Sequence, residues 1–390
     1  MLYNFIETVR EEWNLALKQK MIIIVIFVIP LLTNILLGFE LSQNQIKNIP
    51  MAVFDQDNSS LSRMIVQQFV ENETFDVKYY PGSSIEMEKL FNKSLVRTGM
   101  IIPKGFGKDV VELKSPTILM IYDGSHMPVT SAAKSRASEI LLTLKTGILI
   151  KLLKAKLNVP DYVAENMAQA VKFSSRTLYN PTRSFKNFLN PGLGAAIVQS
   201  GIALMAAAAI RRESEREKLK RAGYVAGKVI FYGMLGTISL VVSILIQSML
   251  FGIPFRSNMT DAVILSACLG VSVAAAGILI SSLVKDSRIA TVIAAVIFVP
   301  STVMAGYTWP VMAMPGPYQT AANFLPFYHY ADNLRDIYLK GLSIKYLYDD
   351  VLWFCLFTLT AAAIAVFSLK IEHKLKDKPT VRAGEHDVSG

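Results

Sequence analysis

The run 229-VIFYGMLGTISLVVSILIQSMLFGI-253 holds 25 residues without a Lys, Arg, Asp or Glu. Wound as a helix rising about 1.5 Å per residue, it outreaches a hydrocarbon core roughly 30 Å thick. Five further charge-free stretches, 21–39, 192–210, 262–284, 289–307 and 351–369, punctuate the 390-residue chain. The 52% hydrophobic average is therefore a blend of apolar spans and polar connections. A soluble protein, a secreted enzyme and a single-anchor receptor are all excluded. The first stretch reads as a retained helix: it outruns the about 7–15-residue core of a signal peptide, and 38-GFELSQNQ-45 has no small-residue cleavage site. Cys268 and Cys355 both lie in the spans, so no disulfide framework is available.

The basic residues orient the spans. With the N-terminus in the cytoplasm, segments 1–20, 211–228, 285–288 and 370–390 hold 17 of the 40 Lys and Arg residues. The short loops 254–261 and 308–350 hold four, Arg256, Arg335, Lys340 and Lys345. This asymmetry predicts that both termini are cytoplasmic and that residues 40–190 lie outside.

Strand-like 49-IPMAVFD-55, 75-FDVKYY-80, 98-TGMII-102, 117-TILMIY-122 and 171-VKFSSRTLY-179 alternate with helical patterns at 61–69, 83–90, 105–113 and 128–157. The second helix opens on a capping box, Ser83 with Glu86. Strands separated by helices predict an α/β domain. It has one histidine, His126, and no metal-ligand spacing; Asp55, Asp57 and Asp123 suit ordinary turn chemistry. Binding, gating or dimer contact is the expected role. The fold class is thus an α-helical polytopic membrane protein with six transmembrane helices plus an external α/β domain.

Ion-coupled transport needs ionisable groups inside the bilayer, and these spans carry none. Asn34, Gln199 and Gln247 read as inter-helix hydrogen bonding. Neither 105-GFGKDV-110 nor 223-GYVAGKV-229 makes a phosphate loop. Energy for transport must come from another chain.

Three segments carry the functional signal. Residues 1–20 place Leu2, Phe5, Ile6, Val9, Trp13 and Leu17 near i, i+3, i+4 spacing, an interfacial helix feeding the first span. The segment 211-RRESEREKLKRAGYVAGK-228 alternates charge and suits a soluble partner. After the fifth span, 304-MAGYTWPVMAMPGPYQTAANFLPFYHYADNLRDIYLKG-341 combines helix-breaking prolines with interfacial aromatics, predicting re-entrant or surface-lying short helices over 308–347. The tail, 370–390, follows the sixth span.

These residues, in this order, resemble the permeases of ABC-2 type ATP-binding-cassette exporters, in the branch with a large external domain between the first two of six spans. The elbow helix matches 1–20, the coupling helix 212-RESEREKLKRAG-223 with 227-GK-228, and the stretch after the fifth span Gly306, Pro310, Met314, Pro315 and Pro326. The external phrases 53-VFDQDNSSLSR-63, 122-YDGS-125 and 179-YNP-181 fit the same branch. The resemblance implies coupling to an ATPase through Arg211, Arg212, Glu213, Arg216, Glu217, Lys218, Leu219 and Arg221, with Trp13 from the elbow. It implies an exit pathway at Met304, Gly306, Tyr307, Trp309, Pro310, Met314, Pro315, Phe324 and Pro326. The chain would carry no catalytic residue, metal or cofactor, since ATP and Mg would be bound by the partner ATPase. The other expected partners are a second permease chain, identical or paralogous, and membrane lipids, with no nucleic acid. A bacterial cell membrane is the expected location, and a lipophilic or amphipathic drug, antibiotic or lipid-like compound the expected cargo. Two other classes compete: a non-transporting receptor or scaffold, and a lipid-directed enzyme using His329 with Asp332.

Overall fold

The computed structural model describes residues 2–43, 45–171, 176–211 and 222–376. It divides into a helical unit, Met1–Asn44 with Leu178–Gly390, and a second unit, Gln45–Thr177.

Among the described residues, six helices of the first unit are long and apolar enough to cross a membrane: Met21–Glu40, Phe185–Ala209, Ala222–Met249, Met259–Leu283, Ser287–Met304 and Tyr348–Lys374. The second, third and fourth form the centre, where Ala203, Ala206, Ala207, Val273, Ala274 and Ala275 are fully buried. Small residues permit this approach. A Cβ added at Gly277 would sit 2.6 Å from that of Ala206, and one at Gly270 would sit 2.7 Å from the Gly233 carbonyl oxygen. The first, fifth and sixth helices keep an apolar face outward, with Leu32, Leu36, Val292, Val296, Leu359 and Phe367 exposed. Lipid is the natural neighbour of such faces.

Two departures from the sequence expectation have local causes. The second span begins at Phe185, capped by Ser184 Oγ accepting from Asn187 N at 3.3 Å, ahead of the expected residue 192. Asn190-Pro191-Gly192 reads as a break, yet the helix runs through it. Its neighbours serve the backbone there: Gln247 Nε2 donates to the Asn190 carbonyl at 3.2 Å, and bare Gly192 leaves room for the Tyr307 ring. In the first span Ile24–Val28 forms a π-helical turn ahead of Pro30. Proline has no N–H to offer the Ile26 carbonyl four residues back. Ser239 Oγ of the third span donates to that oxygen instead, at 2.7 Å.

A further chain of buried side chains joins the spans. Asn34 Nδ2 donates to Ser243 Oγ at 3.2 Å, Gln247 Nε2 donates to Asn34 Oδ1 at 2.6 Å, and Tyr338 Oη donates to Gln247 Oε1 at 2.8 Å. Gln199 Nε2 reaches Ser301 Oγ at 2.8 Å. Asn34, Gln199 and Gln247 thus hold helices together, as their isolation in apolar sequence implies.

After the fifth span come a 3-10 turn, Val311–Ala313, and short helices Gly316–Ala322 and Pro326–Arg335. Prolines open both helices, where a missing N–H costs nothing.

The second unit contains a four-stranded sheet in the order β2-β1-β3-β4, with β1 Ile49–Asp55, β2 Phe75–Tyr79, β3 Thr98–Ile102 and β4 Leu119–Tyr122. β1 runs parallel to β2 and β3; β4 pairs antiparallel to β3. Met51, Val53, Met100 and Ile102 pack against Ile65 and Phe69 of helix Ser60–Val70 and Ala133 and Ala137 of helix Met127–Leu157. Ala52 faces the other side, with Met87 of helix Ser84–Asn92. The anticipated strand at 171–179 does not form over its described residues, 171 and 176–179, and residues 172–175 lie outside the description. Helix Asp161–Ala168, packed on Met127–Leu157, was not expected from the sequence.

The turn aspartates are held by hydrogen bonds. Asp55 Oδ1 accepts from Asp57 N at 3.0 Å, and Asp57 Oδ2 from Gly107 N at 2.9 Å. At Asp123, Ser125 donates its Oγ–H at 2.6 Å and its N–H at 2.9 Å, and the Arg97 guanidinium is ion-paired to the other oxygen. These donors hold the Asp123 carboxyl well below the usual range. A carboxyl depressed by folding contributes stability that is complete above its unfolded value, near 3.8, and is lost as pH falls toward the folded value. Asp123→Asn should therefore lower the melting temperature of the chain at neutral pH, with the deficit shrinking from about pH 5 to about pH 2. Parallel melting curves over that range check it.

Candidate functional site

The elbow helix, Leu2–Lys18, packs against the third span with its less apolar side. Leu2, Ile6, Trp13 and Leu17 are exposed, while Thr8, Glu12 and Ala16, one turn apart, are buried. An interfacial helix gives its apolar stripe to lipid, which leaves its polar stripe for the protein. Gly227 makes the approach close: a Cβ there would meet Thr8 Cβ at 2.8 Å. One residue on, fully buried Lys228 forms an ion pair with fully buried Glu12. Tyr232 Oη donates to Glu12 Oε2 at 2.8 Å, and Lys228 Nζ also donates to the Ala209 carbonyl at 3.3 Å, over the Tyr224 ring. Trp13 meets Phe231 edge-on at 6.4 Å.

Ala209 and Lys228 flank residues 212–221. A second knot forms at Arg211, where the charged segment leaves the second span. Its Nε donates to the carbonyls of Ser281 and Val284, at 3.2 and 2.9 Å. Its terminal nitrogens grip both oxygens of Glu372 at 3.3 and 2.8 Å. The second, fourth and sixth helices are thereby tied at one point. Of the proposed coupling residues, Arg211 faces this knot; Arg212, Glu213, Arg216, Glu217, Lys218, Leu219 and Arg221 lie outside the described residues.

At the opposite end of the helical unit a cavity of about 470 Å³ opens beneath the turn that follows the fifth span. Gly306, Tyr307, Pro310, Val311, Met312 and Phe188 form its aromatic and aliphatic wall, facing His329, Asp332, Asn333, Arg335 and Asp350. The volume falls in the range of about 300–1,000 Å³ usual for small-molecule sites. Gly306 shapes the turn, with φ +78 and Val311 Cγ2 at 2.5 Å from where a Cβ would stand. Gly306→Ala should destabilise the chain by about 1–2 kcal/mol, read as a lower melting temperature in detergent.

Gly306, Tyr307 and Pro310 of the expected exit pathway line this cavity; Met304, Trp309, Met314, Pro315, Phe324 and Pro326 do not. Trp309 and Phe324 are exposed, while Pro326 is buried at the start of its helix. The His329–Asp332 pair that a lipid-directed enzyme would need is not formed. His329 Nδ1 pairs with Asp350 at 2.8 Å, Nε2 lies 3.0 Å from the Asn323 carbonyl, and the ring stacks on Trp353 at 3.9 Å. Asp350 also accepts from Asn333 Nδ2 at 2.7 Å. With both ring nitrogens engaged, His329 is positioned as a packing and hydrogen-bonding group.

The model of the ABC-2 family transporter protein family matches residues 20–367, nearly the whole chain, from the first span into the sixth. The chain belongs to that family. Over 381 residues it is 23% identical to the probable multidrug ABC transporter permease YbhR of Escherichia coli, covering 95% of this chain and all of that one. It is 22% identical to the linearmycin resistance permease protein LnrN of Bacillus subtilis, over 90% of this chain and 94% of that one. A 185-residue match, 24% identical, reaches ABC transporter G family member 20 of Dictyostelium discoideum, covering 45% of this chain and 25% of that one.

In this ABC-2 chain the two ends differ in how far the sequence announced them. Gly227-Lys228 was marked in advance by its motif, but its partner Glu12 was not. Glu12 sits among Glu7, Glu11 and Arg10 in an amphipathic pattern, where one acid looks like another. Its signal was the stripe Thr8, Glu12, Ala16, too small and polar for a lipid face and spaced to meet a neighbour. Arg335 and Asp350 were likewise passed over as loop charges.

Proposed function

We propose that this chain is the membrane-spanning subunit of an ATP-driven exporter that moves lipophilic or amphipathic compounds outward, with ATP and Mg bound by separate ATPase subunits. Two permease chains, identical or paralogous, would pair with two ATPases on the cytoplasmic side, where both termini lie. The observation that carries the reading is the bracing of the described residues on either side of 212–221. Arg211 fixes the entry to three helices, and Glu12–Lys228–Tyr232 fixes the exit to the elbow. Movement imposed on the segment from the cytoplasm would reach the second, third, fourth and sixth spans as packed bodies, the two-state behaviour expected of such bundles. The cavity at the other end, apolar on one wall and charged on the other, suits release of an amphipathic compound. The names of YbhR and LnrN, a probable multidrug ABC transporter permease and a linearmycin resistance permease protein, support the same cargo class.

The test is purification of the chain from its native membrane in mild detergent, with identification of what accompanies it. An ABC ATPase in equimolar amount is the expected result. Recovery of a stable assembly without any ATPase contradicts the reading.

A further inference from the structure

The charges around the cavity are not all balanced. Asp350 is satisfied by His329 and Asn333, and Lys340, farther along, pairs with Asp336 at 2.6 Å. Arg335 and Asp332 are different. Among the described residues no carboxylate lies within 4.0 Å of the Arg335 guanidinium and no basic nitrogen within 4.0 Å of the Asp332 carboxylate. The two stand three residues apart on one helix, a spacing that commonly pairs. Here Arg335 is turned away: its guanidinium lies over the rings of Tyr307 and Phe188, at 4.0 and 4.6 Å, and one terminal nitrogen donates to the Tyr307 carbonyl. Its Nε is buried with no acceptor. Asp332 stays exposed on the same cavity wall, where the Lys340 charge acts on it only from beyond ion-pair distance.

A guanidinium with no carboxylate partner and an exposed carboxylate with no cation in contact, both on the wall of one cavity, suit a ligand that supplies both complements. A purely anionic head would meet Asp332 and Asp350 in the same wall; a purely cationic one would meet Arg335. We propose that this cavity binds the head of a zwitterionic amphiphile, its anionic group on Arg335 and its ammonium group on Asp332, with its chain along Val311, Met312 and Phe188. The assignment rests on the export reading for its meaning as cargo recognition, but the head-group preference stands or falls separately.

The test measures equilibrium binding to the full chain in a sugar-headed detergent at pH 7, with three radiolabelled C12 probes. These are lauroyl lysophosphatidylethanolamine, dodecyl phosphate and dodecylamine, with free phosphoethanolamine as a chainless control. The zwitterion should bind about tenfold more tightly than either singly charged probe, and the chainless control weakly. Arg335→Gln should weaken the zwitterion and the phosphate by about tenfold and leave the amine unchanged; Asp332→Asn should weaken the zwitterion and the amine and leave the phosphate unchanged. Arg335 packs between two rings, so its variant risks misfolding; Asp332→Asn, at an exposed position, decides the question by itself. Equal affinity for all three probes, or an Asp332→Asn variant that binds the amine and the zwitterion like wild type, overturns the proposal. The same probes in vesicles containing the ATPase separate cargo from resident lipid. ATP-dependent transport of the zwitterion supports both readings, whereas binding without transport supports the site and counts against export.

Discussion

Glu12→Ala should destabilise the helical unit by about 3–5 kcal/mol, because it leaves Lys228 buried without its counter-charge. Few single changes cost so much. Both side chains of the pair are fully buried, so water cannot take the place of the lost carboxylate. The Tyr232 hydroxyl loses its acceptor at the same time. The sharper expectation concerns the double variant. Replacing a buried pair by neutral groups of similar volume is often neutral or stabilising, so Glu12→Gln with Lys228→Met should recover most of the loss. Melting temperatures of wild type, Glu12→Gln, Lys228→Met and the double variant in one detergent measure the cycle. A single variant within about 1 kcal/mol of wild type would show that the pair is solvated, contrary to its position in the fold. The double variant also separates folding from function: if the elbow must follow the third span as one body, export should remain impaired after stability returns.

Arg211→Ala should cost about 3 kcal/mol and sever the link among the second, fourth and sixth helices. One guanidinium serves the carbonyls of Ser281, Ser282 and Val284 and both oxygens of Glu372. No other side chain can reproduce that fork. Arg211→Lys should therefore restore little, since an ammonium keeps the charge but not the planar set of donors. The functional expectation follows from position. With its entry untied, the charged segment can move without moving the spans, and ATP hydrolysis by the partner should continue while export falls about tenfold or more. Paired measurements of hydrolysis and transport check it; equal loss of both would mean that the variant simply fails to assemble.

The spans were legible because a run of about 20 apolar residues without a charge matches the thickness of a bilayer and outlasts the apolar stripe of a soluble helix. The sheet was legible for a related reason: Ile49–Asp55 and Thr98–Ile102 are short apolar runs ending at turn residues. Boundaries were less so. Pro191 looked like a helix break because local propensity says nothing of the third span, whose Gln247 serves the backbone at Asn190. The same blindness hid the Glu12–Lys228 pair, whose members are 216 positions apart. At the cavity, the motif residues Gly306 and Pro310 lie in the lining turn. They could not tell which aromatic side chains face inward, and Trp309 and Phe324 are exposed while Tyr307 is buried. Nor does spacing alone show that Arg335 prefers two aromatic faces to Asp332.

The central claim is that this chain carries an amphipathic compound across the membrane on energy delivered through residues 211–228. Its most direct test is transport in vesicles reconstituted with the chain and its co-purified ATPase, following a fluorescent amphiphile with ATP present or absent. The account predicts ATP-dependent movement that Arg211→Ala lowers about tenfold or more while hydrolysis persists. Hydrolysis in the wild-type assembly without movement of any amphiphile, or movement undiminished in Arg211→Ala, would contradict it.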